Sequence, residues 1–153
     1  MSTLFDLVFY VVVPFWALMI FAPTWRHTRT IISSPWIVAP ALVIWAIVTV
    51  PVLGTFWSMV SSPSLAVITE AAADPAILTA LWAQIIAWDL FLGRWVYLDS
   101  RERDIHPLLM GPILLGTIML SPIVFPVYLL VRAVAGRVSS GGSPVARADS
   151  VTA

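Results

Sequence analysis

The sequence contains no cysteine and no lysine, and only 10 % of its 153 residues carry a charge. Without cysteine there are no disulfides, no thiolate nucleophile and no cysteine metal site. Eight arginines balance eight acids to a formal net charge of zero, so no basic stripe exists to track a phosphate backbone, and nucleic acid is not an expected partner. The two histidines, His27 and His106, lie in polar loops with no carboxylate pattern around them, and no metal site is expected. Phosphate-cradling glycine loops, nucleophile elbows and HExxH helices are all missing, which removes the common nucleotide, hydrolase and metalloprotease classes.

What fills the chain instead is apolar. Hydrophobic residues make up 60 % of it, well above the roughly half of a soluble domain. Four runs reach the ~20 residues that cross a hydrocarbon core, at about 4–21, 36–57, 76–98 and 108–131. They are apolar on every side rather than alternating, so each must satisfy its backbone as a helix. The expected fold is all-α, an integral membrane four-helix bundle over 1–135, with a disordered Gly/Ser/Ala-rich tail over 136–153. Ser62 followed by Pro63 reads as a helix start and predicts a short interfacial helix to about Ala73, between the second and third spans. The first span has neither a positive flank nor a small-residue cleavage site and is expected to be retained.

Kinks are expected at Pro14, Pro40, Pro51, Pro112, Pro122 and Pro126, and Gly111, Gly116, Thr117 and Ser121 allow close helix contact in the fourth span. Arg26 and Arg29 in the first loop and Arg101 and Arg103 in the third place those loops in the cytoplasm under the positive-inside rule, with both termini outside. Arg132, Arg137 and Arg147, after the last span, oppose that orientation.

The third span carries the chemistry. Asp89 lies near the middle of LWAQIIAWDLFLGRWVYLDSRER, with Arg94 five residues on. An ionised carboxylate at the bilayer centre costs about 3 kcal/mol, so such an acid normally faces protein, where it serves either packing or function. Arg94 is about 140° around the helix from Asp89 and about 7.5 Å nearer the surface, where it is expected to snorkel. By depth, the natural donors to Asp89 are Trp16, Trp45, Thr49, Thr117 and Ser121. The eight tryptophans could pack a core, anchor an interface or line a flat apolar ligand; Trp16, Trp45, Trp82, Gln84 and Trp88 are the ligand-binding candidates.

Phe5-Asp6, PFWALMIFAPTWRHTR from Pro14, and WAQIIAWDLFLGRWVYLDSRER from Trp82 resemble the abscisic-acid-deficient-4-like family, related to plant neoxanthin synthase, over about 125 residues. The resemblance implies a four-helix membrane protein of carotenoid (xanthophyll) metabolism. Plant members act in plastid membranes; the Arg-only, Ala- and Val-rich composition here suggests a bacterial inner-membrane, multi-pass protein. By motif position Asp89, Gly93 and Arg94 match the family signature. Gln84 stands where a His is common in the family and Phe9 where an Asn is common, and Gln cannot shuttle protons.

Two readings follow, with a small proton-coupled transporter as a third. In one the protein is an epoxycarotenoid isomerase whose catalytic residues are Asp89, protonating the epoxide, and Arg94, assisting; the reaction is redox-neutral and requires no cofactor. In the other it is a non-catalytic carotenoid-binding or accessory subunit of a membrane enzyme. Expected partners are membrane lipid, a carotenoid or isoprenoid ligand, and a second copy or a membrane enzyme.

Overall fold

A computed structural model describes residues 1–140 and is helical throughout its ordered elements. Helix α1 (Ser2–Phe21) is followed by a short amphipathic helix α2 (Arg26–Ser33) in the first loop. The second apolar run is interrupted. A 3₁₀ turn (Pro35–Val38) leads into α3 (Ala39–Thr49), and a second (Val50–Val52) separates α3 from α4 (Leu53–Ser61). Ser34 caps the first turn, its hydroxyl accepting from the Trp36 N–H at 3.3 Å with Pro35 in the opening position. Pro40 falls in the first turn of α3, where its missing donor costs nothing, so the break expected there belongs to Pro51. Helix α5 (Leu65–Ala72) occupies the second loop; its cap is Ser64, whose hydroxyl accepts from the Val67 N–H, and it starts two residues later than the Ser62-Pro63 pattern implies.

Helix α6 (Pro75–Glu102) is the organising element. Asp74 caps it, accepting from the Ala76 N–H at 2.8 Å, and Pro75 opens it. It packs against α1, α3 and α7, and half of its apolar window is buried against 22–28 % for the other three long segments. Its buried face mixes large apolar residues such as Leu90 and Val96 with the small Ala76, Ala80, Ala83, Ala87 and Gly93, which let neighbouring backbones approach where burial in lipid supplies no hydrophobic drive. The closest approach is at Gly93, where the Trp16 indole of α1 lies in the space a side chain would fill: an added Cβ would come within 2.6 Å of the ring's Cζ3 and closer still to Cη2.

Helix α7 (Pro107–Ser140) is two helical arms joined at a break. Leu120 leaves helical geometry (φ −143°, ψ 48°), just ahead of Pro122, whose ring and missing N–H forbid continuation of the preceding turn. Straight, this helix would carry Arg132 about 37 Å from Pro107. Instead Arg132 Nε lies 2.9 Å from the Asp99 carboxylate, at the end of α6 from which α7 sets out. A Cβ on Gly116 would stand 2.9 Å from Val124, eight residues later, which only a reversal of the chain allows. Four segments qualify as spans by length and composition, but the last is a hairpin with arms 107–119 and 121–140 and its turn at the depth of Asp89. The run expected to cross at 108–131 therefore turns back, and the chain at Arg132 and Arg137 lies at the same end as Arg26, Arg29, Arg101 and Arg103. Opposition between the last arginines and the loop arginines disappears with it. Of the tail expected to lack structure from Gly136, 136–140 continue the last helix; 141–153 lie outside the described residues.

Gly93→Ala should destabilise the protein by about 1–3 kcal/mol, because neither the α6 backbone nor the buried Trp16 ring can move freely. Thermal unfolding in detergent should show this as a lowered midpoint, and an unchanged midpoint would mean the helices are not held at this distance.

Candidate functional site

Two polar or hollow features lie within the apolar part of the structure, on different faces of α6. The first is a cavity of about 560 Å³ between α3, α4 and α6, lined by Val38, Leu42, Trp45, Phe56, Val60, Gln84, Ala87, Trp88 and Phe91. The break at Val50–Val52 makes it, turning α4 so that Phe56 meets Trp45 edge-on at 5.9 Å. Leu42, Val60, Trp88 and Phe91 remain exposed, so the groove opens sideways to where lipid would lie. Gln84 supplies the one amide in its wall, and the Trp45 indole N–H is buried there without a hydrogen-bond acceptor. The wall offers stacking surface from the indoles and one amide, and is otherwise apolar.

The second feature is Asp89. It is partly buried, and Ser121, the first residue past the α7 turn, is the hydroxyl that approaches its carboxyl group. Of the other expected donors, Thr117 gives its hydroxyl to the Ile113 carbonyl at 2.8 Å, while Trp45 Nε1 and Thr49 Oγ1 stay without partners. Asp89 does not line the groove, because five residues separate it from Gln84 and so turn it about 140° away.

Arg94 is not beside Asp89 either. Its guanidinium donates to the Ser33 carbonyl at the C-terminal end of α2, which the negative end of that helix favours. Among the expected ligand-binding residues the structure thus brings Trp45, Gln84 and Trp88 together. Trp16 is sealed behind Gly93, and Trp82 stacks on Phe5 of α1 at 5.3 Å, its N–H unpaired. The groove residues that reasoning from the sequence passed over, Leu42, Phe56 and Val60, carry no signal of their own, since they are ordinary span residues.

A polar cluster at the loop end of α6 was also passed over. One oxygen of Asp99 accepts from Tyr128 at 2.5 Å, from Arg132 at 2.9 Å and from Arg103 at 2.9 Å. Arg132 also lies 5.7 Å over the Trp95 ring, which meets Phe125 and Tyr128 edge-on at 5.7 and 5.8 Å. Outside the apolar segment, Asp99 holds the Arg103 guanidinium more firmly in its charged form. The signal for this cluster was the i, i+4 spacing of Tyr128 and Arg132, legible only once α7 is known to return. His106 caps the start of α7, its Nδ1 accepting from the Leu108 N–H, and His27 lies against Trp25; among the described residues no three His, Asp or Glu side chains gather as metal ligands.

These elements define an all-helical, multi-pass membrane protein built around one central helix. The chain belongs to the ABA4-like family, described as ABA DEFICIENT 4-like, whose model matches residues 3–128. No curated protein and no solved structure matches it.

Tyr128→Phe removes a hydrogen bond to a carboxylate while leaving the fully buried ring in place, and should cost about 1.5–3 kcal/mol. Arg103→Gln removes an ion pair whose arginine lies at the surface and is screened by solvent, and should cost clearly less than Tyr128→Phe. Chemical unfolding of the two variants in detergent checks the order; equal losses would mean the cluster does not hold α7.

Proposed function

We propose that the protein binds a carotenoid or related isoprenoid in the α3–α4–α6 groove and serves carotenoid metabolism in the membrane as a binding or accessory component. The observation that carries this reading is the groove wall itself: a lipid-facing apolar slot of about 560 Å³ with one amide and one unpaired indole N–H. Membership of the ABA4-like family supports it, and the resemblance to neoxanthin-synthase-related proteins supplies the substrate class.

The catalytic alternative keeps Asp89 as an intramembrane acid. A specific observation favours keeping it: an acid at mid-depth meets the Ser121 hydroxyl at the turn of a hairpin, so a polar pair sits inside the apolar layer where a proton donor would be needed. An epoxide held in the groove would nevertheless be on another face of α6, and Arg94, engaged with Ser33, could not assist. Catalysis by Asp89 would need its substrate on the α7 side.

Expression in a violaxanthin-producing host separates the two. Pigment should co-purify with the wild type and with Asp89→Asn but fall at least severalfold in Gln84→Ala and Trp88→Ala. Neoxanthin formed by the wild type and abolished only in Asp89→Asn would instead establish the isomerase.

A further inference from the structure

The arginines at the loop end of the molecule are not equivalent. Asp99 shares its one charge between two of them, Arg103 and Arg132, and these are the ion pairs among the described residues. Arg29, Arg94 and Arg101 share no such acid, and all three lie where α2 meets α6. Arg94 and Arg101 are seven residues apart, two turns of α6, and so lie on one face within about 20° of each other. Tyr97 lies between them, its hydroxyl donating to the Pro23 carbonyl at 2.8 Å and thereby holding the first loop against α6. Helix α2 packs on this same face, and Arg29 from α2 and Arg101 from α6 both stand close enough to act electrostatically on the Tyr97 hydroxyl.

Two N–H groups of this cluster are buried without an acceptor: Arg94 Nε and Arg101 Nη1. A guanidinium N–H removed from water and left unpaired is costly, and its usual remedy is an anion with several acceptor oxygens. Carboxylates are absent from the pairing: Glu102 and Asp104, the nearest acids in sequence, form no ion pair with Arg101. The surroundings indicate the level in the membrane at which this happens. Trp25 and Trp36 flank α2 and are 51 % and 78 % exposed, as expected for indoles at a headgroup layer.

We propose that Arg29, Arg94 and Arg101 form a site for a phosphate group, gripping it between α2 and α6 beside Tyr97. Arg94 and Arg101 supply the buried donors, and Arg29 closes the site from the exposed side of α2. The phosphate comes either from an anionic phospholipid headgroup or from solution, and one set of measurements distinguishes the sources.

Full-length protein in neutral detergent is presented with phosphatidylglycerol or phosphatidylcholine and examined by native mass spectrometry; in parallel its melting temperature is followed against inorganic phosphate. Phosphatidylglycerol should be retained over phosphatidylcholine, and Arg29→Gln and Arg101→Gln should each weaken retention about fivefold. Arg103→Gln, which alters an arginine paired with Asp99 outside the site, should retain it like the wild type. A melting temperature raised by inorganic phosphate in the wild type but not in Arg29→Gln would assign the free anion; retention of the lipid alone would assign the headgroup. Arg29 is exposed, so Arg29→Gln should fold even if Arg101→Gln does not. Equal retention of the two lipids together with no response to phosphate would overturn the proposal, as would Arg29→Gln behaving like the wild type in both measurements.

Discussion

One carboxylate oxygen, on Asp99, determines where the last quarter of the chain goes. By taking the Tyr128 hydroxyl and the Arg132 guanidinium it ties the returning arm of α7 to the end of α6, and the Trp95, Phe125 and Tyr128 rings extend that contact downward. A reversal of the backbone inside an apolar layer leaves carbonyls and N–H groups without helical partners, and is tolerated only against protein or a cavity. Here the reversal rests against the mid-depth acid: Ser121 leaves the turn facing Asp89, so the polar residue of the third span and the broken turn of the last segment answer each other.

Viewed from α6, the stretch from Gly93 to Asp99 is a set of docking instructions. Gly93 admits Trp16 of α1, Arg94 engages the end of α2, Trp95 meets the rings of the returning arm edge-on, Tyr97 holds Pro23 of the first loop, and Asp99 clasps Tyr128 and Arg132. Five positions address four neighbours because successive residues turn 100° around the helix, while Trp95 and Asp99, four apart, share the returning arm. The motif that identifies the family therefore assembles the molecule, whereas the groove is built from residues outside it on α3 and α4, together with Gln84, Ala87, Trp88 and Phe91 of α6. Separation of the assembling face from the hollow face is what favours binding over chemistry directed by Asp89.

Much of this was legible in the sequence. Four long apolar runs, the interruption at Pro51 and a helix in the second loop follow from length, proline and capping residues, and the family follows from DLFLGRW and LDSRER. Trp45, Gln84 and Trp88 could be named as a possible ligand wall from residue type. The hairpin could not be read from length, since hydropathy sums a run without regard to its direction. Its traces were nonetheless present: Ser121-Pro122 has the cap-then-proline form of a helix start, and Arg132 and Arg137 sat on the wrong side of a four-crossing topology. What the sequence did not offer was a partner for Arg94: its guanidinium meets the Ser33 carbonyl at the end of α2, a helix the apolar runs do not announce.

The return of α7 is the claim on which the placement of Ser121, the Asp99 cluster and the common face of the arginines all depend. It is tested most directly by the sidedness of the two ends. The chain has no cysteine, so single cysteines at Ser2 and Ser140 can be labelled with an impermeant maleimide in oriented membranes. The account predicts that the two react from opposite sides of the membrane, and labelling of both from the same side would contradict it.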